Sequence, residues 1–250
     1  CFSRDGRDTV ELACPPRTVP VARARPEDGP SDSSQGGLHL GPRERWRSGF
    51  FVKPRFLVLG SEGQLGRCLV RALHHDRSLV GAYSHGELDI ADERAVRDCL
   101  QQVSSPCTVV NAAAFTAVDR CETEVEMAYR VNRDAVESVA QACLDSGLRL
   151  IHISTDYVFD GNSESPYAED AAICPKSVYG KSKQAGEEIV LGASEDFLVV
   201  RSSWIFGPGR NFVEAILAQA GTRRADGDTS PLRVVDDQLG SPTYAADLAA

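Results

Sequence analysis

Short apolar runs alternate with helix-length amphipathic segments from residue 55 onward, and this alternation limits the folds open to the chain more than any other feature. The runs predict strands at 56–59, 78–84, 108–111, 148–154, 197–201 and 232–235. The spacing predicts a helix after a glycine turn at 60–66, and further helices over 92–103, 122–146, 178–192 and 211–221. Strands separated by helices need crossover connections. The predicted fold is therefore α/β, with a doubly wound parallel sheet of Rossmann type.

The first 53 residues differ in composition from the rest of the chain. Residues 1–55 contain 10 Lys and Arg, 7 Asp and Glu, and 7 of the 13 prolines, with almost no periodic apolar positions. Such a segment buries too little apolar surface to offset its chain entropy. It also lacks the apolar stretch of a signal peptide. We therefore expect 1–53 to be disordered and 54–250 to form the folded unit.

Charge and apolar patterning argue against two classes of partner. A net charge of -9 would repel the phosphates of a nucleic acid. No run approaches the roughly 18 apolar residues that a membrane-spanning helix needs. The eight cysteines are scattered without a C-x-x-C pair, and no histidine pair lies at zinc spacing. We therefore expect no nucleic acid, no membrane and no metal ligands, and a reducing, cytoplasmic location.

Three glycines follow the first strand in a G-x-x-G-x-x-G spacing: Gly60, Gly63 and Gly66. In a strand–turn–helix unit such glycines allow a tight turn, the close approach of a pyrophosphate, and close packing of the helix on the strand. Free N–H groups at the start of the helix, where Gln64 lies, would bind the anion. The spacing predicts a dinucleotide site, with a plain tight turn as the alternative.

The end of the second strand bears on which nicotinamide cofactor would bind. A site for NAD commonly places Asp or Glu about 20 residues after the glycines, where the carboxylate holds the ribose diol. Here residues 82–85 read Ala-Tyr-Ser-His, without a carboxylate. The sequence therefore favours NADPH, and NADH stays open because Glu87 is close.

A Y-x-x-x-K spacing places Tyr179 and Lys183 on one face of a predicted helix, with Lys181 off that face. A lysine charge about 4 Å from a phenol would lower its pKa by roughly three units, enough to make Tyr179 a proton donor to a carbonyl oxygen. The predicted strand at 148–154 leads directly into Thr155 and Asp156, at the sheet edge where ligands bind. The alternatives are an exposed Tyr–Lys pair and a capped loop.

Eight ordered blocks of the sequence resemble one known family. They are GSEGQLG (60–66), LDI (88–90), VVNAAAFTAVDRCE (109–122), YRVNRDA (129–135), LIHISTDYVFDG (150–161), SVYGKSK (177–183), RSSWIFGPGRNFV (201–213) and VVDDQLGSPTYAADLA (234–249). On these blocks residues 55–250 resemble the extended short-chain dehydrogenase/reductases, and among them the dTDP-4-dehydrorhamnose reductases. The resemblance implies a small, truncated C-terminal substrate lobe over about 201–250.

The resemblance also assigns roles to individual positions. The implied catalytic residues are Thr155, Tyr179 and Lys183, and the implied substrate contacts are Thr155, Asp156 and Trp204. The implied cofactor contacts, besides Tyr179 and Lys183, are Gly60, Gly63, Gln64, Gly66, Asp89, Ile90, Ala112, Ala113, Ala114 and Thr116. For Trp204 the alternative is plain core packing, because a tryptophan is costly to expose.

The reaction implied by the resemblance is reduction of the 4-keto group of dTDP-4-dehydro-L-rhamnose by NADPH or NADH. Hydride would reach C4 while Tyr179 protonates the forming alkoxide, Lys183 holds the nicotinamide ribose and Thr155 orients the ketone. Some members of the family have an interfacial magnesium site, whose ligands do not map onto this sequence. A homodimer is also left open.

Two other functions compete with this one. The beta subunit of methionine adenosyltransferase has the same fold and binds NADP without being the catalyst, so a regulatory subunit is one alternative. A reductase or epimerase of another nucleotide sugar is the other, because an epimerase would share the Tyr–Lys pair. The intact set of Thr155, Tyr179 and Lys183, together with the block around Trp204, favours the reductase.

Overall fold

A five-stranded parallel sheet with strand order β2-β1-β3-β4-β5 forms the centre of the fold. The structure is a computed structural model that describes residues 53–209, 211–232, 234 and 238–250. The strands are β1 Phe56–Leu59, β2 Leu79–Tyr83, β3 Thr108–Asn111, β4 Arg149–Thr155 and β5 Leu198–Ser202. The parallel Rossmann-type sheet predicted from the sequence is confirmed.

Helices cover both faces of this sheet. They are α1 Gln64–His75, α2 Glu93–Gln101, α3 Val118–Cys121, α4 Val125–Tyr129, α5 Ala135–Asp145 and α6 Val178–Ala193. On one face α2, α5 and α6 pack side by side against the strands. On the other face α1 packs together with the short α8, Ala245–Leu248.

The strands are apolar throughout because both of their faces are covered. Successive side chains of a strand point to opposite faces, and so Leu57 and Leu59 lie in the core beneath α2, α5 and α6. Val58, between them, lies in the core beneath α1. A sheet buried on both faces reads as a continuous apolar run rather than as an alternating one. This explains why the short runs of the sequence predicted the strands well.

The helix predicted over 122–146 is interrupted in the structure. A π-helical turn, Arg130–Asp134, connects α4 to α5. Its Asn132 is 1% exposed, accepts a hydrogen bond from the backbone N–H of Phe115, and donates to the Phe115 carbonyl and to Ser182 Oγ. A π turn changes the direction in which side chains leave a helix, and such turns are frequent at functional sites. Here the turn places Asn132 between the β3 loop and α6.

The C-terminal part contains a second, two-stranded parallel sheet and one longer helix. Strand β6, Ile205–Phe206, pairs with β7, Thr243–Tyr244, and the helix α7 covers Phe212–Ala225. The helix predicted over 211–221 is therefore confirmed. Two of the four residues of the strand predicted at 232–235 lie outside the described residues, and the other two, 232 and 234, are not in a strand. The disorder predicted for 1–53 lies outside the described residues except at Lys53. In the part of the chain that the structure describes, no helix is long and apolar enough to cross a bilayer.

A cavity of about 1100 Å³ lies on the sheet face that carries α1 and α8. Apolar side chains of β3, β4 and β5 line it, namely Val110, Ile151, Ile153 and Val200. The polar residues at the carboxyl ends of the strands are not among those that line it. This cavity is therefore separate from the predicted catalytic residues.

Candidate functional site

The glycine turn lies where the strand order reverses, between β1 and β3. Ligands of open α/β sheets bind at this point, outside the carboxyl ends of the strands. Gly60 follows β1 with φ +82°, in the left-handed region that favours glycine. A Cβ on Gly60 would lie 2.7 Å from the backbone nitrogen of Ala113. The turn and the loop after β3 are thus in direct contact.

Gly66 allows the first turn of α1 to pack on the loop that precedes it. A Cβ on Gly66 would lie 2.0 Å from the carbonyl oxygen of Gly60, and a Cβ on Gly63 would lie 3.3 Å from the same oxygen. Backbone atoms cannot move away as the end of a flexible side chain can. The spacing predicted from the sequence therefore has a steric basis at its third position.

The N-terminus of α1 has polar groups free to meet a ligand. The N-cap residue Gly63 provides no side-chain cap, and the first turn contains no acidic residue. The N–H groups of a first helical turn have no partner within the helix and attract anions. These features fit the phosphates of a dinucleotide.

Replacing Gly66 by alanine is expected to weaken NADPH binding and to lower the free energy of unfolding by about 1–3 kcal/mol, the usual range for forced overpacking. The physical reason is the clash with the Gly60 carbonyl. The matched control is Gly192→Ala, because a Cβ at this position in α6 meets nothing within 4 Å. Urea denaturation and NADPH fluorescence titration measure the two effects. Equal behaviour of the two variants would contradict the steric argument.

The end of β2 carries an acidic residue that folds back on the strand. Glu87 Oε2 accepts hydrogen bonds from the Ser84 backbone N–H at 2.8 Å and from Ser84 Oγ at 2.7 Å. These two bonds lower the pKa of the Glu87 carboxyl, so it is ionised near neutral pH. A carboxylate is thus fixed beside the end of β2, although none lies within the strand end itself. NADH therefore stays open beside NADPH.

The two predicted adenine contacts differ in their surroundings. Asp89 is half-buried, and its Oδ1 accepts a hydrogen bond from the backbone N–H of Ala91 at 3.0 Å. Ile90 is 4% exposed and packs in the core beneath α2 and α5. The Ile90 side chain therefore has little surface for a ligand, and only Asp89 offers an accessible side chain at this position.

The loop after β3 continues along the same edge of the sheet. Ala112, Ala113 and Ala114 are half-buried, and Thr116 is exposed. The backbone N–H of Ala112 donates to the Leu59 carbonyl at 3.0 Å. The loop thus continues the sheet edge past the glycine turn, and its contact with a cofactor stays a prediction.

Tyr179 and Lys183 lie on the buried face of α6, at 9% and 1% exposure, whereas Lys181 is exposed. This placement agrees with the predicted i, i+4 face and not with an exposed pair. Close packing of α6 permits it, because a Cβ on the intervening Gly180 would lie 2.2 Å from the Tyr157 carbonyl oxygen. The ring of Tyr157 meets that of Tyr179 edge to face, with centroids 5.6 Å apart.

The prediction that Lys183 lowers the pKa of Tyr179 is wrong for this structure. Burial raises the pKa of Tyr179 to about 12, and the nearby Thr155 hydroxyl offsets only part of this effect. Lys183 Nζ instead donates to the Ile153 carbonyl at 2.7 Å and lies 3.1 Å from His152 Nε2. Burial lowers the pKa of Lys183 to about 8. Desolvation thus outweighs the expected charge effect on the phenol.

Thr155 and Asp156 meet at the end of β4. Thr155 Oγ1 donates to Asp156 Oδ1 at 3.1 Å and accepts from the backbone N–H of Tyr157 at 3.2 Å. Asp156 Oδ2 accepts a hydrogen bond from Ser203 Oγ at 2.8 Å. The Thr155 hydroxyl is therefore held in place by the carboxylate that follows it. In the predicted role, its hydrogen would turn from Asp156 to the substrate.

Trp204 lies on the same edge, just after β5, and is 40% exposed. Its φ of +46° is in the left-handed region, which is uncommon for a residue other than glycine and costs about 1–3 kcal/mol. Its indole packs against the ring of Phe212, with centroids 6.3 Å apart. A Cβ on Gly240 would lie 2.6 Å from the indole nitrogen. The Trp204 side chain is therefore too exposed for plain core packing.

Comparisons with known proteins agree with this geometry. Residues 54–250 match the family described as the RmlD substrate binding domain. The chain is 44% identical over 196 residues to the spore coat polysaccharide biosynthesis protein SpsK of Bacillus subtilis, covering 78% of this chain and 67% of that relative. It is 43% identical over 201 residues to a dTDP-4-dehydrorhamnose reductase of Streptomyces griseus, covering 80% and 64%.

A solved structure shows the same arrangement of elements. The dTDP-4-dehydrorhamnose reductase of Bacillus anthracis, in complex with NADP, has a TM-score of 0.71 to this chain at 36% identity, over 79% of this chain and 69% of that one. The chain belongs to the dTDP-4-dehydrorhamnose reductase family. The resemblance found in the eight blocks is thus confirmed. The chain spans 64–69% of the length of these three relatives.

Three buried polar residues of this reductase-family chain were not predicted as site residues. Asn132 lies between the β3 loop and α6, as described above. Asn111 and His152 are both 0% exposed, and His152 lies against Lys183. Asn111 ends one apolar run and His152 interrupts another, which is the signal that could have pointed to them, whereas Asn132 lies among charged residues and has no such signal.

Proposed function

We propose that the complete protein reduces the 4-keto group of dTDP-4-dehydrorhamnose with NADPH. The observation that carries the proposal is the joint placement of Thr155, Tyr179 and Lys183. All three are buried where β4 and α6 meet, and this is the arrangement expected for proton transfer to a ketone. Family membership supports the substrate class, and the NADP complex of the Bacillus anthracis relative supports the cofactor.

The residues at the switch point fit a dinucleotide. The N–H groups at the uncapped start of α1, that of Gln64 among them, would hold its phosphates, while Asp89 and the loop at 112–116 would lie along it. When bound, the cofactor supplies the hydride that adds to the carbonyl carbon. Glycines at 60 and 66 keep the cradle open, because a Cβ at either position would clash with backbone atoms.

Tyr179 would supply the proton. Because its pKa is raised to about 12, the phenol is protonated throughout the physiological range and holds the hydrogen that the reaction needs. An alkoxide that forms next to Tyr179 is a strong base and would draw this hydrogen from the phenol oxygen. Burial also excludes water that would otherwise compete for the same hydrogen bond.

Thr155 and Asp156 would orient the ketone. The Thr155 hydroxyl has one hydrogen, which Asp156 holds in the absence of a substrate. A carbonyl oxygen between Thr155 and Tyr179 would accept a hydrogen bond from each, and this would polarise the ketone before reaction. Ser203 would keep Asp156 in place through its contact with Oδ2.

Cysteine chemistry supports a cytoplasmic location for the protein. The described residues include six cysteines that are not in disulfides: Cys68, Cys99, Cys107, Cys121, Cys143 and Cys174. Burial raises the pKa of Cys143 to about 12, so that this thiol is unreactive near neutral pH. A reducing compartment suits such a set.

The deciding experiment is NADPH oxidation, followed by absorbance, with enzymatically generated dTDP-4-dehydrorhamnose and the full-length protein. We expect turnover with this substrate, and none with a nucleotide sugar that lacks the 4-keto group. Tight NADPH binding without turnover, in a folded protein, would overturn the proposal in favour of a regulatory subunit. Turnover with other 4-keto sugars alone would place the protein among reductases of another nucleotide sugar.

A further inference from the structure

A buried chain of polar contacts crosses the sheet from β3 to α6. Asn111 and His152 are register partners on β3 and β4, and both are 0% exposed. Asn111 Nδ2 lies 3.3 Å from His152 Nδ1, and His152 Nε2 lies 3.1 Å from Lys183 Nζ. Both nitrogens of the imidazole ring therefore have a nitrogen partner, and the positions of the hydrogens decide whether both contacts are favourable.

The backbone N–H of Ala113 fixes the orientation of the Asn111 amide group. The backbone N–H of Ala113 can only donate, and it lies 3.1 Å from Asn111 Oδ1. The amide group of Asn111 therefore turns its NH₂ toward His152. An amide nitrogen donates and does not accept. His152 Nδ1 must then be the acceptor and carry no hydrogen.

The hydrogen of a neutral imidazole is then on Nε2, facing Lys183. A hydrogen bond from Nε2–H needs a lone pair on Lys183 Nζ, which only the neutral amine has. Lys183 Nζ can still donate one of its own hydrogens to the Ile153 carbonyl at 2.7 Å. With a charged ammonium, two donors would face each other between His152 and Lys183.

We propose that His152 is a positioning residue whose Nε2–H favours the neutral amine of Lys183 over the ammonium in the protein without ligands. The hydrogen bonds then run in one direction, from the Ala113 N–H through Asn111 and His152 to Lys183. The consequence for catalysis rests on the proposed function. A ligand that needs a charged Lys183 has to draw the side chain away from Nε2, and at a pH above about 8, where the amine is neutral, a proton is then taken up from solvent.

Other ionisable groups near Lys183 do not offset this arrangement. Glu187, one turn along α6, raises the pKa of Lys183, but Arg201 of β5 already holds its carboxylate. Cys121 of α3 and Asp156 after β4 act on Tyr179 instead. Burial, the larger effect, favours the neutral amine. Burial keeps the pKa of His152 well below its usual range, so the imidazole is neutral.

Nuclear magnetic resonance of the full 250-residue chain can test the proposal without substrate or cofactor. The sequence has only four lysines, at 53, 176, 181 and 183. Labelling lysine at ¹³Cε therefore gives four signals, which Lys181→Arg and Lys183→Met assign. Labelling histidine with ¹⁵N reports the tautomer of His152. We expect the Nε2–H tautomer, and a Lys183 signal that titrates well below that of the exposed Lys181.

The variant His152→Gln distinguishes two causes of the lowered Lys183 pKa, the hydrogen bond from His152 and the burial of the side chain. A glutamine amide can turn its oxygen toward Lys183 and accept from an ammonium, so the Lys183 pKa is expected to rise by about one unit, a tenfold change in its protonation equilibrium. The matched control His75→Gln, on a side chain that is 90% exposed, is expected to leave Lys183 unchanged.

Two results would overturn the proposal. One is an Nδ1–H tautomer or an imidazolium at His152. This is measured on the protein without any substitution. The other is a folded His152→Gln protein whose Lys183 titrates as before, which would leave burial as the whole cause. Failure of the reductase assay would change neither the His152 tautomer nor the Lys183 titration. The proposal for His152 and the proposed function can therefore be contradicted independently.

Discussion

Replacing Tyr179 by phenylalanine is expected to lower kcat for ketone reduction by about 10²–10⁴-fold, the usual contribution of a positioned general acid. The variant loses the hydroxyl that donates the proton and keeps the ring that packs on Tyr157. NADPH binding should change little, because the phosphate cradle around 60–66 is untouched. Steady-state kinetics and NADPH fluorescence titration measure the two effects.

The matched control for this prediction is Tyr157→Phe. Tyr157 packs against Tyr179, so its replacement removes a hydroxyl from the same neighbourhood without removing the proposed proton donor. We expect its kcat to remain close to that of the unchanged protein. If Tyr179→Phe retained full turnover, another group would have to supply the proton, and the role proposed for Tyr179 would be lost.

The elements that position the site could be predicted because their signals are local. Each strand is a short apolar run, and the turn at 60–66 shows its three glycines in order. Both signals arise within about ten residues, and no distant contact is needed to produce them. The buried face of α6 also follows from helix periodicity, since Tyr179, Lys183 and Glu187 are spaced four residues apart.

The electrostatics of the site could not be predicted in the same way, because they depend on contacts between distant segments. The partner of Lys183 is His152, 31 residues earlier in the chain. Sequence spacing alone placed Lys183 beside Tyr179 and predicted a lowered phenol pKa, whereas burial raises it. Desolvation is set by the surrounding fold, which a four-residue spacing does not describe.

The interruption of the long helix shows the same limit. The segment 122–146 has helical periodicity, and nothing local marks a π turn. Its cause is tertiary, since Asn132 bonds to the β3 loop and to Ser182, 50 residues away. A Cβ on Gly186 of α6 would lie 2.3 Å from the Asn132 carbonyl oxygen, so the two helices meet closely at this turn.

Replacing Arg201 by leucine is expected to lower the free energy of unfolding by about 3–5 kcal/mol, because it would leave a buried carboxylate unpaired. Glu187 is 1% exposed, and Arg201 donates to both of its oxygens, at 2.9 and 2.7 Å. Arg201 also donates to the Glu169 carbonyl and stacks on the Phe159 ring. The loss should therefore also loosen the segment that follows β4.

The double variant Glu187→Leu with Arg201→Leu distinguishes the loss of the ion pair from the cost of leaving the Glu187 carboxylate buried and unpaired. Because the double variant leaves no buried charge, it should be more stable than Arg201→Leu alone. The control Arg94→Leu breaks an exposed pair with Asp98 and should have almost no effect in urea denaturation. If Arg94→Leu cost as much as Arg201→Leu, burial would not be the cause. If the double variant were less stable than Arg201→Leu, an unpaired Glu187 would still stabilise the fold, and the unpaired carboxylate would not be the cause of the loss.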